Sequence, residues 1–193
     1  MTLKDLILQK RSCRRFYEKE TISLDTLKDC IDLARLTASS GNLQPLKYIV
    51  SVRKEINDII FPHLAWAGYL TDWDGPQSGE RPPSYIIVLA DKNIHFPIDC
   101  DHGISAQTIT LAATEKGLST CILSAIDRRN LRQALNIDNR YEILLVIAIG
   151  RCREKRILEE VKNDGSIEYW RDEQGQHHVP KRSLNEIIVH AYY

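Results

Sequence analysis

The sequence predicts one soluble domain that mixes helices with buried strands. Three observations predict it. The chain has 193 residues, the length of a single domain. Several segments repeat apolar residues at helical spacing behind capping residues. Ile143 to Ile149 is an unbroken apolar run, too short for a membrane span and without the alternation of a half-exposed strand. It reads as a central strand covered on both faces.

The elements follow in order. Thr2 is placed to cap a short helix with Leu3, Leu6 and Ile7 on one face. That helix ends in the basic run Lys10-Arg11-Ser12-Cys13-Arg14-Arg15. A second helix follows Ser23, with Leu24, Leu27, Ile31 and Ala34 at helical spacing. The small polar stretch Thr37 to Asn42 breaks it, and Tyr48 to Val52 reads as a strand. Residues 54–66 read as a helix that Pro62 kinks or shortens. Thr71 to Ser84, with three prolines and two glycines, reads as a long loop and a candidate lid, with Trp66, Tyr69 and Trp73 close by. These aromatics serve either ordinary packing or stacking on a substrate.

Tyr85 to Ala90 has the composition of a buried strand. Asp101 to Gly117 is a strong helix rich in Gly, Ala and Ser, suited to close approach of a neighbour. Thr120 to Leu123 is a short strand, and Asp127 caps a helix over 128–135. Turn residues at Asn163-Asp164-Gly165 and near Gly175 bracket Ser166–Trp170 and Gln176–Val179 as a hairpin. Lys181-Arg182-Ser183 then leads to the apolar tail Ile187-Ile188-Val189, for which a partner subunit is one burial site.

Composition excludes several function classes. Lys and Arg total 26, and so do Asp and Glu, so the net charge is zero. A general nucleic-acid or acidic-membrane binder needs a basic field. The N-terminus lacks the apolar core of a secretory signal. The five cysteines include no C-x-x-C pair, which argues against a disulfide scaffold or zinc ribbon. Free thiols in a reducing cytoplasm are expected. His177 and His178 are adjacent in an expected strand and face opposite sides, so they do not share a metal. No glycine-rich phosphate loop and no G-x-S-x-G element is present.

Four clusters remain. Lys10-Arg11-Ser12-Cys13-Arg14-Arg15-Phe16 offers cations and a hydroxyl suited to phosphate, or is a solvated helix end. Ser39-Ser40-Gly41-Asn42-Leu43-Gln44-Pro45 offers directional donors and acceptors for a heterocycle edge or polyol, or is an ordinary turn. Asp101-His102-Gly103-Ile104-x-Ala106-Gln107 through Gly117-Leu118-x-Thr120-Cys121 is a tightly packed helix and strand that can also back a flat ligand. Lys181-Arg182 is a basic pair.

In this order and spacing, the clusters resemble the nitroreductase family of FMN-dependent oxidoreductases, over residues 2–151 and the basic segment near 181. That resemblance implies an α+β fold, with a mixed central β-sheet wrapped by helices in an intertwined homodimer. Residues 1–193 would form one such domain, with a C-terminal hairpin and extension at about 152–193. It implies that Lys10, Arg11 and Ser12 meet the FMN phosphate and ribityl chain, and Arg14 the pyrimidine edge. Asn42 would approach the pyrimidine side too, with Ser39, Ser40 and Gln44 lining the site from the other subunit. The stretch Leu123-Ser124-Ala125 would present a backbone N–H to flavin N5, and Lys181 or Arg182 would close on the phosphate.

The implied activity is ping-pong electron transfer from NAD(P)H to a small organic acceptor such as a nitroaromatic or quinone, in the cytoplasm, with no catalytic acid or base and no metal. A dehalogenase or ene-reductase branch, a flavin carrier or sensor, and a non-flavin docking module are the alternatives. Leu46 stands where the family often has an aromatic residue, and Ser124-Ala125 where Gly-Gly is common.

Overall fold

In the computed structural model, residues 1–162 and 164–193 are described. Asn163, part of the expected turn before the hairpin, lies outside them. Helices α1 (Leu3–Gln9) and α2 (Leu24–Arg35) precede strand β1 (Leu46–Ser51). Then come α3 (Lys54–Ile60), β2 (Ser84–Asp91), α4 (Asp101–Glu115) and β3 (Ser119–Leu123). The chain continues through α5 (Arg128–Ala134), β4 (Tyr141–Gly150), β5 (Arg156–Glu160), β6 (Trp170–Arg171), β7 (His177–Lys181) and α6 (Leu184–Ile187).

Side-chain caps set most helix starts. Thr2 forms a capping box with Asp5, and Ser23, Asp127 and Ser183 each accept from a first-turn N–H. Such caps are worth about 1 kcal/mol each. Pro62 limits α3: the helix stops at Ile60 and a single 3-10 turn, Phe61–His63, carries the chain on.

The main sheet has the order β1-β2-β4-β3, and every pair in it is antiparallel. Parallel pairing occurs in a second, smaller sheet of order β5-β7-β6, where β5 runs parallel to β7 and β6 antiparallel to it. The small sheet is therefore the mixed one. The expected hairpin is present but short, Trp170–Arg171 against His177–His178. Strand β5 had no signal in the sequence reading.

Strand alternation divides the core. Tyr85, Ile87 and Leu89 of β2 pack on one face with Phe16, Ile60 and Leu131. Ile86 and Val88 pack on the other, against Leu27, Cys30 and Ala34 of α2 and Ala106, Ile109 and Ala113 of α4. All eight residues of β2 are buried, as the absence of polar alternation requires. At the end of β4, a Cβ on Gly150 would lie 2.7 Å from Pro83 and 2.8 Å from Phe16. Only glycine admits that close approach of the 71–84 loop and the N-terminal segment.

That loop is tied down along its second half. Glu80 receives two hydrogen bonds from Arg15, both at 2.6 Å, and its carbonyl accepts from Phe16 N–H. Glu18 accepts from Gly79 N–H. Trp66 is buried, Trp73 lies under the Arg171 guanidinium at 4.2 Å, and Tyr69 packs on Tyr169. In the structure these aromatics pack within the protein.

One expectation is overturned. Cys13 and Cys152 form a disulfide, with Cα atoms 6.0 Å apart, while Cys30, Cys100 and Cys121 are free. The two are 139 residues apart in sequence, and the bridge between Phe16 and Cys152, with backbone hydrogen bonds from Tyr17 to Arg151 and from Arg153 to Arg15, brings them together. Among the described residues no helix is long and apolar enough to cross a membrane.

Candidate functional site

The basic run after α1 leaves the helix as an extended segment along β3. Cys13 N–H donates to the Thr120 carbonyl at 2.9 Å, and the Arg14 N–H donates to the buried Glu154 carboxylate at 2.5 Å. Glu154 is held in turn by Arg171 at 2.9 Å. These contacts and the disulfide fix the run against the start of the C-terminal segment.

Strand β7 comes alongside. Alternate strand residues share a face, and His177, Val179 and Lys181 all face the basic run. With Lys10, Arg11, Ser12, Arg14, Gln107 and Tyr169 they enclose a cavity of about 400 Å³. Arg14 donates to Nε2 of His177 at 2.8 Å, and its guanidinium lies 4.5 Å from the centre of the Tyr169 ring. Among the described residues, Lys10, Arg11, Arg14 and Lys181 have no carboxylate in ion-pair range. Burial, then the charges of Arg11 and Lys181, pull the Lys10 ammonium below its ordinary pKa. Burial lowers Arg11 as well. Burial, then Arg14 and Arg171, lower His177 to about 4, so it is neutral at pH 7.

The loop Ser39–Gln44 lies elsewhere. Ser39 and Gln44 border a separate cavity of about 210 Å³ with Tyr48, Asp101 and Ser105. Buried Asp101 organises it, accepting from the Ser39 hydroxyl at 2.5 Å and the Ser40 N–H at 3.0 Å. Gly41, Asn42 and Gln44 have φ of 55°, 55° and 52°. Two of these are non-glycine residues in the left-handed region, a conformation that costs energy and is concentrated at functional sites. Asn42 and Gln44 are exposed, joined by a 3.2 Å hydrogen bond. At the end of β3, Leu123 is buried while Ser124 and Ala125 are exposed. Their carbonyls accept from Arg128 and from Ala65 N–H.

The expected site residues thus fall into three places within one chain. Lys10, Arg11, Ser12, Arg14 and Lys181 converge on the first cavity. Arg182 does not, because it pairs with Glu186 along α6. Sequence reading missed Tyr169, His177 and Val179. The signal for two of them was the two-residue period running back from Lys181 through Val179 to His177.

A family model described as the nitroreductase family matches residues 7–151. The chain belongs to the nitroreductase family. Over 187 residues it is 22% identical to MhqN of Bacillus subtilis (strain 168), named as a candidate NAD(P)H nitroreductase, covering 76% of this chain and 86% of that protein. It is similar in fold to a nitroreductase family protein of Clostridium difficile 630, with a TM-score of 0.66 and 22% identity over 80% of this chain and 86% of that one. It is also similar to a candidate nitroreductase of Exiguobacterium sibiricum 255-15 solved with FMN, with a TM-score of 0.65 and 17% identity over 80% of this chain and 90% of that one. The matched family region contains the basic run, the Ser39–Gln44 loop and β3. Lys181, Tyr169 and His177 lie beyond it. As a nitroreductase-family member the chain is an oxidoreductase, with an α+β fold.

Proposed function

We propose that this chain is an FMN-dependent oxidoreductase that takes electrons from NAD(P)H and passes them to a small organic acceptor, working as a homodimer. The carrying observation is the donor set of the first cavity: Lys10, Arg11 and Lys181 without carboxylate partners among the described residues, beside the Ser12 hydroxyl. That set matches a phosphate monoester and a polyol. The Nε of Arg11 is buried without a hydrogen-bond partner among the described residues, which is costly unless an acceptor meets it.

FMN, when bound, supplies two-electron transfer between two small molecules. The chain supplies anchorage and charge. Lys10, Arg11, Ser12 and Lys181 would hold the phosphate, while Arg14 sets a cation in the same cavity wall. His177 and Tyr169 already fix that guanidinium, so it stabilises negative charge with little reorganisation.

Ser39 and Gln44 line a different cavity, and Ser40 and Asn42 belong to the same loop, so a second protomer would bring this loop to the Lys10–Arg14 cavity of the first. Exposed Leu3, Ile7 and Leu8 on α1 and Leu184, Ile187 and Val189 in the tail offer apolar surface for that pairing. The carbonyls of Ser124 and Ala125 are engaged by Arg128 and Ala65, which leaves their exposed N–H groups at the end of β3 to meet a ligand.

The visible spectrum tests the reading. Purified protein is expected to be yellow, or to become so with added FMN, and to bleach anaerobically with NADH or NADPH. A protein that stays colourless in excess FMN would overturn it. One that binds FMN but is not reduced by either nucleotide would leave a flavin carrier in place of an enzyme.

A further inference from the structure

A larger cavity of about 500 Å³ is bordered by the second half of the tied-down loop and shares no lining residue with the Lys10–Arg14 cavity. Val52, Phe61, Pro82, Pro83 and Tyr85 give it an apolar lining. Its charged groups are Glu18, Lys19, Lys54, Asp58 and Arg81. Lys54 and Asp58 neutralise each other at 2.6 Å. Glu18 is engaged by the N–H groups of Gly79 and Arg81. Lys19 and Arg81 remain, and among the described residues neither side chain has an ion pair or a hydrogen bond.

Two side chains are set there without partners. The Arg81 guanidinium lies 4.2 Å over the Phe61 ring, and its Nε is buried with no acceptor among the described residues. Tyr85 is 1% exposed, and its hydroxyl has no hydrogen bond among the described residues. Burial pushes that hydroxyl's pKa up, and the charges that act on it belong to Arg81, Glu18 and Asp58, all of which line the cavity. A hydroxyl left unpaired in a core costs free energy. One that opens on a cavity beside an unpaired guanidinium is placed to donate to an anion. An apolar lining with a few unpaired polar donors is the composition of a small-molecule site.

We propose that this cavity is a second ligand site that takes an aryl carboxylate of one or two rings. The carboxylate receives hydrogen bonds from Arg81 and from the Tyr85 hydroxyl. The ring lies on Pro82 and Pro83 beside the stacked Arg81 and Phe61, and Lys19 adds positive charge. The site requires no flavin, so it stands or falls apart from the oxidoreductase reading.

Calorimetric titration of the intact protein with 2-naphthoate tests it. Saturable binding of one molecule per chain is expected, with 2-naphthalenemethanol at least tenfold weaker. Tyr85→Phe should weaken naphthoate about tenfold and leave the thermal midpoint of the free protein unchanged, because no internal hydrogen bond is lost. Arg81→Met should weaken it at least tenfold, and Lys181→Met should have no effect. Absence of saturable binding, equal binding of the alcohol, unchanged affinity in both cavity variants, or loss of binding in Lys181→Met would each overturn the proposal.

Discussion

The Arg14 guanidinium donates to Nε2 of His177 across 2.8 Å, joining two residues 163 positions apart. Because Nε2 accepts, the ring proton belongs on Nδ1, which is buried without a partner among the described residues. The pair therefore holds one charge, on Arg14. A second charge on the imidazole would face Arg14 and Arg171 in a buried setting.

Acid should open this contact. The folded pKa of His177 is about 4, against an ordinary 6.5. The unfolded chain takes up its proton first, so stability falls as pH drops from 6.5 towards 4. The loss over that window is about 3 kcal/mol. Thermal midpoints measured between pH 7 and pH 4 should fall steeply. His177→Gln, which can still accept from Arg14, should flatten the slope. An unchanged slope in the variant would show that another group titrates.

The neighbouring histidine has the opposite sign. His178 stacks on Trp170 at 4.0 Å and lies 3.0 Å from Glu159 and 3.2 Å from Asp172. Burial works against its charge, but the hydrogen bonds to Asp172 and Glu159 prevail and raise its pKa. Its contribution is fully present below 6.5 and is lost as pH rises through the folded value. A proton NMR titration should place His178 above 6.5. Glu159→Gln should move it down, and the small sheet should then loosen at lower pH.

The two histidines show what a sequence can and cannot tell. Their opposite facing follows from strand periodicity alone and was legible. The same periodicity puts His177 on the face of Lys181, while its contact with Arg14 depends on a residue 163 positions away. The basic run, the Ser39–Gln44 loop and most elements of the main sheet and its helices were legible because caps, prolines and unalternated apolar strands are local signals. Strand β5 was not, because Arg156 to Glu160 carries charges on a half-exposed strand and pairs in parallel with a segment 21 residues later. The Cys13–Cys152 contact is longer in range still.

That disulfide gives a direct measurement. Unfolded protein without reductant should show three thiols to a colorimetric reagent, and five after reduction. The bridge closes a loop with a sequence separation of 139, and its loss should cost about 2–4 kcal/mol. Replacing both Cys13 and Cys152 with Ala should lower the denaturation midpoint accordingly. It should also weaken FMN uptake, since the bridge sits between Ser12 and Arg14 and pins the basic run. Five thiols without reductant would remove the bridge from the native protein.

The adjacent cations Lys181 and Arg182 separate cavity geometry from charge alone. Lys181 lies on the same face of β7 as His177 and Val179 and lines the first cavity. Arg182 follows the strand and pairs with Glu186 on α6. If the anchored group is a phosphate, each substitution removes one positive charge, yet the effects should differ. Lys181→Met loses a charge-assisted hydrogen bond and should weaken FMN binding about tenfold or more. Arg182→Met removes an exposed ion pair of small worth and should change it less than about threefold. Fluorescence quenching of FMN measures both. Equal losses would mean that the cavity acts through its general field, and a larger loss for Arg182 would place the phosphate outside the cavity.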